Sequence, residues 1–143
     1  MKIALLDDLR ELDSAHKSAL KKAARVVLKE HRVPSQSELS ITIINDPQMR
    51  ELNRTYRNIG RTTDVLSFPQ DEGPDFTLLG DVVISIDTAR RQSDSYGVTL
   101  HEELKKLIIH GILHLLGYDH KKKKEAEIMR EKERELTLLV RDL

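Results

Sequence analysis

Apolar positions along this chain recur with two periods, and each change of period marks an element. Lys2–Leu6 is a short apolar run that predicts a first strand. Leu20, Ala23, Ala24, Val27 and Leu28 then follow helical spacing, with Asp13 or Ser14 as the cap. That helix should run to about His31 and end at Val33-Pro34-Ser35. Residues 39–43 alternate apolar and polar with β-branched side chains, the mark of a half-buried strand. Asp46-Pro47 supplies a cap and a proline for the first turn of a second helix, to about Tyr56. Residues 64–68 and 80–86 predict two more strands, and Asp87 can cap a helix that closes at Gly97. Thr99 and Glu102 form a capping box ahead of a broad apolar stripe through Leu100, Leu104, Leu107, Ile108 and Leu115. Gly117 should stop that helix. A last, highly charged helix begins near Lys122, with Met129, Leu136, Leu139, Val140 and Leu143 as its buried stripe.

Four short strands among four to five helices predict an α+β fold, a small mixed sheet with helices packed on it. The chain's 143 residues, without repeats or a Pro/Gly-rich boundary, predict one domain over 1–143. There is no cysteine, which excludes disulfides, thiolate catalysis and cysteine-based zinc fingers. No apolar run reaches membrane-spanning length, and the N-terminal apolar stretch is too short for a signal peptide, so a cytoplasmic protein without membrane contact is expected.

Lys+Arg and Asp+Glu both number 24, so no global field steers a polyanion. The charges are nevertheless clustered. Arg50, Arg54, Arg57 and Arg61 face one nearby acid, Glu51, and Lys121, Lys122, Lys123 and Lys124 form a second basic run. Asp71, Glu72, Asp75 and Asp81 make the intervening stretch acidic. The lysine run reads first as a solvated helix start rather than an RNA clamp, although positive charge there opposes the helix dipole, a modest reason to suspect function.

Chemistry concentrates in residues 110–120. His110 and His114 lie one helical turn apart on one face, with Cβ atoms about 6 Å apart. The turn at Gly117 lets His120 swing back toward them. The spacing H-x3-H-x2-G-x2-H equals that of the metzincin zinc proteases. Three neutral imidazoles suit one zinc ion per chain, with a fourth position for water. A lone helical histidine is usually a packed or solvated residue; three at this spacing, two of them within an apolar helix, point to a metal. The residue after the first histidine is Gly111, whereas H-E-x-x-H proteases carry their general base there. Peptide hydrolysis by that route loses its proton acceptor. Phosphodiester chemistry suffers less, because zinc lowers the pKa of water, RNA carries its own 2′-OH, and arginines can stabilise the phosphate charge.

These residues, His110-Gly111-x-x-His114-Leu115-x-Gly117-Tyr118-Asp119-His120, resemble the YbeY family of single-strand-specific, zinc-dependent bacterial endoribonucleases, also called rRNA maturation factors. The resemblance extends through Leu52-Asn53-x-x-Tyr56-Arg57, Thr63-Asp64-Val65-Leu66-Ser67-Phe68-Pro69 and Leu79-Gly80-Asp81-Val82-Val83-Ile84-Ser85. It covers most of the chain from about Leu39. It implies a zincin-like metal site on a central helix, with His110, His114 and His120 as zinc ligands and Arg57 as the functional arginine. It also implies action on single-stranded rRNA, maturation of the small-subunit rRNA 3′ end, and ribosome quality control beside the small subunit and its assembly proteins. The lysine run departs from the acidic residues found there in many members, which bears on substrate approach.

Without the resemblance, Arg57 is an ordinary surface ion-pair candidate. Asp64 and Asp119 can each orient a ligand histidine or simply bond their local backbone. Two other functions stand beside the endoribonuclease. One is a zinc hydrolase of peptides or small amides, which Gly111 disfavours. The other is a non-catalytic ribosome-assembly factor with a zinc that orders the fold, favoured by the scarcity of stacking side chains (three Tyr, two Phe, no Trp).

Overall fold

The computed structural model describes residues 1–70 and 78–143. Asp71, Glu72 and Asp75 of the acidic stretch lie outside the described residues. The elements are β1 (Lys2–Leu6), α1 (Ser14–Glu30), β2 (Glu38–Ile44), α2 (Asp46–Arg57), β3 (Val65–Pro69), β4 (Leu78–Ser85), α3 (Ile86–Tyr96), α4 (Leu100–Leu115) and α5 (Lys123–Leu139). The sheet has four strands in the order β1-β2-β4-β3. β1, β2 and β4 are parallel, and β3 pairs antiparallel to β4 on one edge. This is the mixed sheet with helices that the sequence pattern predicts.

Strand alternation divides the apolar side chains between two faces. Ile3, Leu39, Ile41, Ile43, Val82 and Ile84 meet α1, α3, α4 and α5 in the main core. Leu66 and Val83 turn the other way, toward Met49 of α2. Helix α4 is buried along most of its length, with Leu104, Ile108, Ile112 and Leu113 fully enclosed, so it forms the rigid axis of the domain face that carries the histidines.

Several caps differ from expectation. The Thr99–Glu102 box forms as predicted, and Gly117 adopts φ 100° just beyond α4, a left-handed conformation that favours glycine. Helix α2 is instead capped by Asn45, in a box with Gln48, and Asp46 is its first residue. Helix α3 is capped by Ser85 rather than Asp87. The reason is tertiary. One oxygen of the Asp46 carboxylate accepts the hydroxyls of Ser85 (2.6 Å), Thr88 (2.7 Å) and Thr62 (3.1 Å), and the other meets Arg91 at 2.8 Å. Asp87 accepts the backbone N–H of Asp46 at 2.8 Å. Leu139 also departs from its predicted place, being 51% exposed, whereas Met129, Leu136 and Val140 are buried.

Burial pushes the Asp46 carboxyl up, but the bonds from Ser85, Arg91, Thr88 and Thr62 outweigh it and hold the group far below the ordinary carboxylate value. A carboxylate whose pKa falls on folding contributes stability above its unfolded pKa, near 4, and loses it as pH drops toward the folded value. Asp46→Ala is therefore expected to destabilise the protein by about 2–4 kcal/mol near neutral pH. Urea titrations across acid pH should show that the variant lacks part of the wild-type loss of stability below about pH 4.

Candidate metal centre and its cleft

The three histidines converge. One ring nitrogen from each of His110, His114 and His120 lies within 4.8 Å of the others. His110 and His114 project from the same face of the last turns of α4, and their Nε2 atoms are 3.1 Å apart. Two nitrogens bound tetrahedrally to one zinc at 2.0–2.1 Å would stand about 3.3 Å apart, so this pair is already close to ligating separation. The third ring arrives through the turn after α4. The Gly117 N–H bonds the His114 carbonyl at 3.1 Å and the Tyr118 N–H bonds the Leu113 carbonyl at 3.0 Å. The Tyr118 hydroxyl sits 3.2 Å from His31 Nε2 at the end of α1, which ties the turn to the body of the protein. His120 then stands with its ring centroid 5.1 Å from that of His114.

Burial, reinforced by the neighbouring His110 and His120, holds the His114 imidazole below its ordinary pKa. Its neutral, ligating form is favoured. His110 is oriented by Glu133 of α5, whose carboxylate accepts from its Nδ1 at 3.0 Å and leaves Nε2 for the centre. This carboxylate–histidine pairing fixes ring and tautomer, the usual outer support of a metal-bound imidazole. It was not visible in the sequence, because Glu133 lies 23 residues beyond His110 in a helix dense with glutamates. Asp64 and Asp119 do not take that role. Asp64 accepts from the Val65 N–H at 2.7 Å and from Gln92, and Asp119 accepts from the His120 N–H at 2.7 Å. Glu133→Gln is expected to weaken metal binding by about 10–100-fold, measured against a chelator of known affinity, without loss of fold.

Gly111 has a steric explanation. A Cβ there would lie 2.6 Å from Cγ1 of Val82 and 3.3 Å from Oγ of Ser67. The Ser67 hydroxyl also donates to the Gly111 carbonyl at 2.9 Å, so α4 rests directly on β3 and β4 at this point. A glutamate at the general-base position of the zinc proteases would require Val82 or the helix to shift.

The histidines border a cleft of about 620 Å³ that Arg57, Asp64, Ser67 and Lys121 also line. Arg57 is the last residue of α2. Asn58 ends the helix in the left-handed conformation at φ 59°, and buried Asn53 donates to the Arg61 carbonyl at 2.9 Å, holding the following turn in place. Arg54 is paired with Glu51 at 2.6 Å, whereas Arg57 forms no ion pair among the described residues. Of the lysine run, Lys121 reaches the cleft. The donor set fits a divalent ion of zinc type: three imidazole nitrogens, an oriented tautomer and an open side toward the cleft.

The family model described as endoribonuclease YbeY matches residues 3–140. An endoribonuclease YbeY of Pelotomaculum thermopropionicum is 43% identical over 131 residues, covering 87% of this chain and 86% of that protein. One from Aquifex aeolicus is 57% identical over 91 residues, covering 63% of this chain and 61% of its own length. The solution structure of a Thermotoga maritima protein superposes with a TM-score of 0.70 at 27% identity, over 96% of this chain and 88% of that one. The motifs in α2, β3, β4 and α4 and the histidine centre they surround thus agree with a match along nearly the whole sequence: the chain belongs to the YbeY family of endoribonucleases.

Proposed function

We propose that residues 1–143 act as a single metal-dependent endoribonuclease domain in rRNA processing, with one zinc ion held by His110, His114 and His120. The observation that carries this reading is the shared cleft: three converging imidazoles and Arg57, which forms no ion pair among the described residues, line the same space. A purely structural metal has no need of a guanidinium lining the same cleft. When bound, the ion supplies Lewis acidity toward a phosphoryl oxygen or a water molecule. Glu133 keeps His110 in its ligating tautomer. Arg57 binds non-bridging phosphate oxygens and stabilises the charge that builds on them. Lys121 adds positive charge where the polyanion enters the cleft.

The family's action on single-stranded rRNA in the cytoplasm, at the 3′ end of the small-subunit rRNA and in ribosome quality control, is the fitting context. Tyr56, beside Arg57, is 66% exposed and packs edge-on against Phe68 at 5.2 Å between ring centroids. It offers a stacking surface for an unpaired base despite the scarcity of aromatics. Among the described residues no helix is long and apolar enough to cross a membrane. The decisive experiment incubates zinc-loaded protein with matched single- and double-stranded RNA and with peptides. Cleavage confined to single-stranded RNA and abolished by a chelator is expected. Peptide hydrolysis, or no RNA cleavage by metal-replete protein, overturns the reading.

A further inference from the structure

The cleft is not the only cationic feature. From Ser14 to Lys29, α1 carries Lys17, Lys21, Lys22, Arg25 and Lys29 and no acid, in a protein whose net charge is zero. Lys17, Lys21, Lys22 and Arg25 line a groove together with Leu5 of the edge strand β1. None of these four cations forms an ion pair among the described residues. Of the acids that bracket them, Asp13 is committed to the His16 N–H and ring, both at 2.8 Å, and Glu30, the last residue of α1, forms no ion pair with them among the described residues. Lys17, Lys21 and Arg25 are half-buried and stand at i, i+4 and i+8, so their Cα atoms follow one line with a rise of about 6 Å per step. That rise resembles the spacing of successive phosphates along a nucleic-acid strand.

We infer that the groove between α1 and β1 is a second RNA-docking surface, which holds the phosphate backbone of structured RNA flanking the strand in the cleft. The inference rests on the endoribonuclease reading for the identity of the polyanion. The two sites are separate. β1 and β3 are opposite edges of the sheet, three strand spacings of about 4.8 Å apart, so the groove lies beyond a Debye length of about 8 Å from the β3 side. Its cations therefore act on docking and leave the scissile phosphate to Arg57. An anionic membrane is the poorer partner. The apolar side of α1, through Leu20, Ala23, Ala24, Val27 and Leu28, is buried in the core and has nothing to insert.

The test compares zinc-loaded wild type with the K17Q/K21Q/R25Q triple variant, whose glutamines preserve helix propensity, and with K17R/K21R, which keeps the charge. Binding of a labelled RNA duplex is followed by fluorescence anisotropy over a range of salt. The triple variant is expected to lose about tenfold or more in affinity and two to three units of the log–log salt slope, and the arginine variant to retain both. Cleavage of a short single-stranded oligonucleotide should be unchanged, while KM rises for the same oligonucleotide joined to a duplex. Unchanged duplex affinity and salt slope overturn the proposal, as does a loss confined to phosphatidylglycerol vesicles. Duplex binding decides the docking surface, and wild-type cleavage decides the endoribonuclease reading, so each can fail without the other.

Discussion

His114→Ala is expected to lose the metal and RNA cleavage together while the protein stays folded. The three rings form a triangle, with the His114 centroid 4.6 Å from that of His110 and 5.1 Å from that of His120, and those two 6.0 Å apart. Removing His114 leaves two of the three imidazole donors, too few to hold a zinc ion firmly. Metal affinity should fall by more than the about 10–100-fold expected for loss of an outer partner such as Glu133, and cleavage should drop to background. The fold should survive, because α4 is held by Leu104, Ile108, Ile112 and Leu113 in the main core. Far-UV circular dichroism with and without chelator checks that half of the expectation. The same assignment fixes the direction of the pH dependence. Ligation needs neutral imidazoles, so metal affinity should weaken as pH falls below about 6. Affinity that stays flat from about pH 8 to pH 5, or His114→Ala protein that still cleaves RNA, removes these histidines from the site.

Local signals in the sequence proved sufficient for the elements and for the histidines. The Thr99–Glu102 box and the Gly117 stop are both bonds or conformations within a few residues, and the i, i+4 phase of His110 and His114 follows from helical geometry alone. What escaped was decided across the fold. Asn45 and Asp46 are both capping residues by type, as are Ser85 and Asp87. Only the meeting of α2 with α3 commits Asp46 to three hydroxyls and an arginine and leaves capping to its neighbour. Glu133 was lost among the acids of α5 because its role depends on how that helix packs across α4. Gly111 is the most instructive case. Its sequence meaning was the loss of a catalytic glutamate, and its structural meaning is contact between α4 and Val82. Both hold: the packing of α4 on β4 leaves no room for a side chain at 111 unless Val82 or the helix shifts.

Arg57→Ala separates charge stabilisation from metal binding. Arg57 is exposed at the end of α2, touches no ligand histidine through a hydrogen bond, and lines the cleft they face. Its removal should leave fold and metal affinity unchanged and lower kcat for RNA cleavage by about 10²–10³-fold, the range typical of losing one preorganised donor to a developing oxyanion. Arg57→Lys should recover only part of that, since an ammonium cannot grip two phosphate oxygens as a planar fork does. The lysine run should behave in the opposite way. Helix α5 has Lys122 at its N-cap, with no side-chain cap bond and with positive charge against its dipole, so this sequence does not serve helix stability. Neutralising Lys121, Lys122, Lys123 and Lys124 should weaken RNA binding and flatten its salt dependence while kcat at saturating RNA stays near wild type. A stability gain in that variant would support the same point, because the cost of an uncapped basic helix start is then tolerated for the polyanion at the cleft mouth. If pure Arg57→Ala protein cleaves at the wild-type rate, the guanidinium is an ordinary surface charge, and the phosphate must be held by the metal and the lysines alone.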